Sequence, residues 1–179
     1  MFDIESKNPD EITINTKKTS VTFNIAENEI DAGLTVGKIK GPGEFEIGDV
    51  TIRGIDVDKA ATAGEKGESE DGDEASSDKE VAKAGVVKSS GQTIYDAEIG
   101  GVHVGIIGGC EKALDELGMA DILCTSSVRA VREVEPKVVI SMGNIDGMVT
   151  ELKLTARTEK KYKVKNESSL PATLEVISL

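Results

Sequence analysis

The chain has 179 residues, of which 38% are hydrophobic and only 3% aromatic, and carries a formal net charge of −12. That length makes one domain spanning 1–179 the expectation, with enough chain to bury a core. The acidic balance argues against nucleic acid and anionic membrane surfaces as partners, since both need Lys and Arg gathered on one face.

No stretch is apolar for the roughly 20 residues that a membrane-spanning helix needs. The opening MFDIESKNPDE has no basic region followed by an apolar one, so a secretory leader is not expected there. The two cysteines, Cys110 and Cys124, lie in ordinary apolar surroundings. A disulfide scaffold is not expected, and a reducing, cytoplasmic setting fits.

Taken in order, Phe2–Glu5, Glu11–Thr16 and Val21–Ile25 alternate apolar and polar residues, with turn chemistry at Asn8-Pro9-Asp10 and Lys17-Lys18. This predicts an antiparallel meander with one buried face. Residues 27 to 33 (ENEIDAG) read as a short connection, and Leu34–Ile39 as the start of another strand. Gly41-Pro42-Gly43 is a turn signal. Phe45 and Ile47 then alternate with Glu44 and Glu46, Gly48-Asp49 turns the chain, and Val50 and Ile52 continue the alternation. The pattern is that of a β-hairpin.

Composition changes at Asp56. Residues 64 to 80 carry eight acids against two lysines and no large apolar side chain. Such a segment cannot bury enough surface to offset the entropy of ordering it. Residues 58–90 are therefore expected to be a disordered acidic insertion between two strands of the same domain.

Beyond it, Gln92–Ile99 and Val102–Ile107 read as strands joined at Gly100-Gly101. Glu111–Leu117 reads as a helix stopped by Gly118, Asp121–Cys124 as a buried strand, and Ser126 or Ser127 as the cap of a helix reaching Glu133. In that helix Val128, Val131 and Val134 should face inward. Lys137–Met142 is a fully apolar strand, and the alternation of strands and helices predicts a parallel layer. Met148–Leu154 fits either helix or strand. Lys160–Lys165 and Thr173–Leu179 read as closing strands.

Five ordered segments carry a resemblance. GPGEFEIGDVTIRGI at 41–55, TIYDAEIGGVHVGIIGG at 93–109, MADILCTS at 119–126, VEPKVVISMGN at 134–144 and SSLPATLEVISL at 168–179 resemble the metallo-β-lactamase superfamily. The branch they are similar to includes L-ascorbate-6-phosphate lactonase. The resemblance implies a mixed α+β, α/β fold: an αββα sandwich, here truncated and carrying the disordered acidic insertion.

The family's chemistry is zinc-dependent hydrolysis. Its ligands come from a His-x-His-x-Asp-His loop after the early strands, an Asp in a Gly-Asp step, and further His residues. Zinc needs three or four such ligands at one point. This chain has a single histidine, His103. Only AENEIDAG stands where the His-rich loop belongs, Gly108-Gly109 replaces Gly-Asp, and Met142-Gly143 replaces Met-His. The resemblance therefore implies a scaffold whose zinc site is lost. What is left of it would be a vestigial pocket at Gly109, Cys110, Met142, Gly143 and Asn144, with no catalytic or metal-binding residue and no cofactor.

The other chemistry-bearing residues have plainer readings. His103 lacks His or Cys partners and reads as a surface-facing strand residue. Cys110, expected at a helix N-terminus, could be a reactive thiol, but a small residue beside a loop is the commoner explanation. No EF-hand fits the acidic insert, because placing its glycine on Gly72 puts Gly67 at the first ligand position. Gly41-Pro42-Gly43 lacks the Gly-Lys-Ser/Thr step of a phosphate loop. Ser126-Ser127 lacks a histidine base and a G-x-S-x-G turn.

Two functions follow as expectations. The first is a non-catalytic member of this fold with a binding or assembly role, its partner another protein or a second copy of the chain. The second is a metal-dependent hydrolase using an altered, carboxylate site, for which Glu44, Glu46, Asp49 and Asp96 would be oxygen ligands for Mg²⁺ or Mn²⁺.

Overall fold

The meander expected from the alternation is present. In the computed structural model, which describes residues 1–59, 92–143 and 145–179, β1 (Phe2–Asn8), β2 (Glu11–Asn15) and β3 (Ser20–Asn24) pair antiparallel. Two expectations nearby are corrected. The stretch read as a connection contains β4 (Glu29–Asp31), which pairs with β3. The strand expected over Leu34–Ile39 is instead a helical turn, α1 (Gly33–Val36), followed by β5 (Lys38–Lys40), which pairs with β4. One apolar residue in each of these three-residue strands, Ile30 and Ile39, is too little for periodicity to register.

The hairpin forms as predicted, with β6 (Gly43–Ile47) and β7 (Val50–Asp56) in register from Ile47↔Val50 to Gly43↔Gly54. β8 (Thr93–Ile99) pairs with β7, and β9 (Val102–Gly108) with β8, both antiparallel. Of the acidic insertion expected at 58–90, residues 58 and 59 are helical rather than disordered, and residues 60–90 lie outside the described residues.

From β9 the sheet becomes parallel. β10 (Ile122–Thr125) pairs with β9, and β11 (Val138–Ser141) with β10. Between them α2 (Val128–Val134) is capped by Ser127, whose hydroxyl accepts from Ala130 N at 3.2 Å. Ala130 and Val131 are its buried residues, while Val128 and Val134 pack at the margin. The helix expected over Glu111–Leu117 is only a 3-10 turn at Leu114–Leu117, because Ala113 adopts the left-handed conformation at φ 56°. The ambiguous stretch resolves as a helix that starts earlier, α3 (Ile145–Leu152).

β12 (Ala156–Thr158), which the pattern did not suggest, and β14 (Glu175–Ser178) extend the parallel sheet, whereas β13 (Tyr162–Val164) crosses over to pair with β1. The sheets run β13-β1-β2-β3-β4-β5 and β12-β14-β11-β10-β9-β8-β7-β6.

One core lies between the sheets and includes Ile4, Ile14, Phe23, Ile52, Tyr95, Val104 and Ile140. The Phe23 and Tyr95 rings meet there at 5.5 Å. A second core, with Ile107, Leu114, Leu117, Leu123, Val131, Val139 and Met148, lies between the second sheet and its helices. The implied αββα order predicts helices on both outer faces. Among the described residues they cover only the second sheet. The first sheet's outer face is polar, with Asn15 donating to Asp3 and Glu5, and Thr13 bonded to Thr22 at 2.9 Å. The architecture is thus a mixed α/β sandwich.

Candidate functional site

The parallel strands β9, β10 and β11 have two edges, and each gathers polar or conformationally special residues. At the C-terminal edge stand the residues expected in the vestigial pocket. Gly108 ends β9 at φ 57°, a conformation that disfavours any side chain. Its carbonyl accepts from Ser126 N at 2.9 Å and from the Thr125 hydroxyl at 2.8 Å. A Cβ built on Gly108 would come within 2.9 Å of Ile25 Cγ2. Ile25, just past β3, is 9% exposed and belongs to the core between the sheets. An apolar side chain at the entrance to the shortened loop therefore sits directly on Gly108.

The remaining pocket residues diverge from this point. Met142 is buried in the core between the sheets, whereas Cys110 is buried in the core under the helices, its thiol donating to Lys112 O at 3.5 Å. Gly109 and Gly143 are exposed. Gly143 borders a cavity of about 280 Å³, shared with Ser6, Asn8, Pro9 and Ser178. Asn144 lies outside the described residues. The two thiols are free, and burial pushes the Cys124 thiol far above its ordinary value.

The donor set does not fit zinc at this edge. Zinc takes Cys, His or carboxylate ligands converging at about 2.0–2.3 Å, and the groups that converge on Gly108 are Ile25, Ser126 and Thr125. Nor do the carboxylates considered for an altered metal site converge. Glu44 and Glu46 are exposed on the edge strand β6, Asp49 accepts from the Thr16 hydroxyl at 2.6 Å in the hairpin turn, and Asp96 sits on β8. Among the described residues no three His, Cys, Asp or Glu side chains form a group that could hold a metal ion.

The N-terminal edge is different. There a cleft of about 760 Å³ opens on the helix side of the second sheet. Arg53 on β7 and Asp96 on β8 are register partners, with Nη2 and Oδ2 3.9 Å apart. Across from Asp96 on β9 is Gly105, where a Cβ would meet Leu123 Cδ1 at 3.0 Å. Two positions along β9, His103 meets Asp96 diagonally, Nδ1 to Oδ1 at 3.4 Å.

Asp121, just before β10, donates its N–H to His103 O at 2.9 Å. Its Oδ2 accepts from His103 N at 3.2 Å, and its Oδ1 accepts from Lys137 Nζ at 2.7 Å. The Asp121 carboxylate raises the pKa of Lys137. His103, expected to be a surface-facing strand residue, is half-exposed. It also has a carboxylate partner seven positions upstream, which spacing alone did not single out. The signal that could have found Asp121 and Lys137 is a charged residue immediately before each fully apolar parallel strand.

Comparison with known proteins supports the fold. A solved structure from Thermotoga maritima, described as a candidate zinc-dependent hydrolase of the metallo-β-lactamase superfamily, superposes with a TM-score of 0.60 at 12% identity, covering 100% of both chains. At that identity the likeness is one of fold, a metallo-β-lactamase-like α/β sandwich. No protein-family model and no curated protein matches the sequence. Among the described residues no helix is long and apolar enough to cross a membrane.

Proposed function

We propose that this chain is a non-catalytic protein on the metallo-β-lactamase fold, its zinc site lost and replaced by a binding or assembly role. The observation that carries the reading is Ile25 packed on Gly108. Ile25 immediately precedes the segment where the resemblance puts the His-rich loop, and Gly108 opens the step where it puts Gly-Asp, so this apolar contact supports the reading. A shared fold does not by itself carry a reaction. The partner is a protein, either a different one or a second copy of this chain, and no cofactor enters the reading.

The test is elemental analysis of the purified, untagged chain for Zn, Mn, Fe and Ni, alongside its mass in solution across a concentration series. Absence of stoichiometric metal, with a mass that rises toward a dimer or a partner captured reproducibly, is the expected result. A metal retained near one per chain overturns the reading and returns the carboxylate-site hydrolase.

A further inference from the structure

The cleft at the N-terminal edge of the parallel strands lies at the opposite end of the sheet from Gly108, so an inference about it is independent of the fate of the metal site. Its groups are layered. Asp96 and Asp121 form the back, with side chains 11% and 14% exposed, while Arg53, His103 and Lys137 stand in front at 44%, 41% and 44%. All four carboxylate oxygens already face a donor: Asp96 Oδ1 faces His103 and Oδ2 faces Arg53, and Asp121 Oδ1 takes Lys137 and Oδ2 the His103 N–H.

The cations, by contrast, keep donors to spare. A guanidinium has five N–H groups and an ammonium three. Arg53 donates to Glu116 O and, among the described residues, otherwise faces only Asp96 at 3.9 Å. Lys137 bonds Asp121 and lies 3.9 Å from Glu167 Oε1, beyond hydrogen-bond reach. The unspent capacity at the floor of the cleft is thus donor capacity beside two largely covered acids, and charge-assisted donors of this kind are how oxyanions are recognised.

An apolar wall adjoins these groups. Leu117 and Ala120 are buried beneath it, and Met119, 90% exposed, stands beside them. The volume of about 760 Å³ falls in the range of small-molecule sites, about 300–1,000 Å³. Glu135 and Glu167 stand exposed at the rim, so a polyanion would meet like charge there, as it would over a chain of net charge −12.

We propose that this cleft binds a small molecule bearing a single oxyanion group, a carboxylate or a phosphate monoester, on a short apolar body. Arg53 and Lys137 hold the oxyanion, Asp96 and Asp121 position the cations, and the body lies against Met119.

His103 is the chain's single histidine, so its imidazole proton resonance reports on the cleft alone. The full chain is titrated with inorganic phosphate, phenyl phosphate and benzoate at constant pH and ionic strength, with sodium chloride as the control. The expected result is a saturable shift that chloride does not produce, tighter with an aromatic ligand than with inorganic phosphate. Saturation by phenyl phosphate alone assigns a phosphate monoester, and saturation by benzoate alone assigns a carboxylate. Arg53→Gln and Lys137→Gln should each weaken binding about tenfold, the loss of one charge-assisted hydrogen bond, with unchanged melting curves. Shifts that chloride reproduces, or that persist undiminished in both folded variants, overturn the proposal.

Discussion

The two edges of one parallel sheet differ in what fills them. At the C-terminal edge an isoleucine rests on a glycine with no room for a side chain, and the flanking residues turn into two separate apolar cores. At the N-terminal edge two nearly buried aspartates face Arg53, Lys137 and the His103 imidazole around an open cleft. In open α/β sheets ligands generally bind at the C-terminal ends of strands. The contrast teaches that fold position alone does not locate a site, because the groups present decide whether that position is a pocket or a plug.

The harshest way to break the comparison is to force a side chain into the plugged edge. Gly108→Asp places a side chain at φ 57° and drives its Cβ to 2.9 Å from Ile25 Cγ2. Left-handed strain and overpacking together should cost on the order of 4 kcal/mol in chemical denaturation. Adding Ile25→Ala should relieve only the packing part, so the double variant loses less than the sum of the single ones. Strict additivity would show that Ile25 does not occupy this space.

A gentler probe compares the edges directly. Ile25→Ala should cost about 2 kcal/mol, since Ile25 is 9% exposed and part of the core between the sheets. Met119→Ser, at a residue 90% exposed beside the open cleft, should change stability by less than about 0.5 kcal/mol. Equal losses at the two sites would erase the distinction between plug and cleft.

Charge pairs sharpen the comparison through pH. Glu29, 4% exposed, accepts from Lys38 at 2.6 Å and faces Lys40 at 3.2 Å, and the Lys38 contact lowers its pKa below the ordinary 4.5. The unfolded chain then holds the proton more tightly than the folded one. The pair's stabilisation is present above 4.5 and disappears as pH falls through the lowered value. Glu29→Gln should therefore flatten the acid limb of a melting-temperature profile.

The smallest effect belongs to the open edge. There Asp121 raises the Lys137 pKa, so the stabilisation is present below the ordinary 10.5 and disappears as pH rises through the raised value. Lys137→Met should remove that alkaline dependence and leave the acid limb as it was. An unchanged alkaline limb in the variant would mean that the pair does not form.

Much of the fold is legible in the sequence. Period-two alternation located β1, β2, β3 and the hairpin of β6 and β7, because one face of each strand is buried and the other is wet. Unbroken apolar runs located β9, β10 and β11, which are covered on both faces. Short strands escaped for the same reason: β4, β5 and β12 have three residues each, less than two periods of any pattern. The expected helix before Gly118 failed because Ala113 turns left-handed and shortens it to one 3-10 turn.

By itself, then, the sequence determined the order of the longer strands, the change from antiparallel to parallel pairing, and the lack of a histidine set for zinc. These are local or compositional properties, set by side-chain period, turn residues and counts. Only the tertiary structure decided that Ile25 covers Gly108, that Cys110 and Met142 point into different cores, and that β13 returns to pair with β1. It alone brought Arg53, Asp96, His103, Asp121 and Lys137 together. Those contacts join residues on different strands, and strand register across the sheet, which no local pattern encodes, determines which side chains meet.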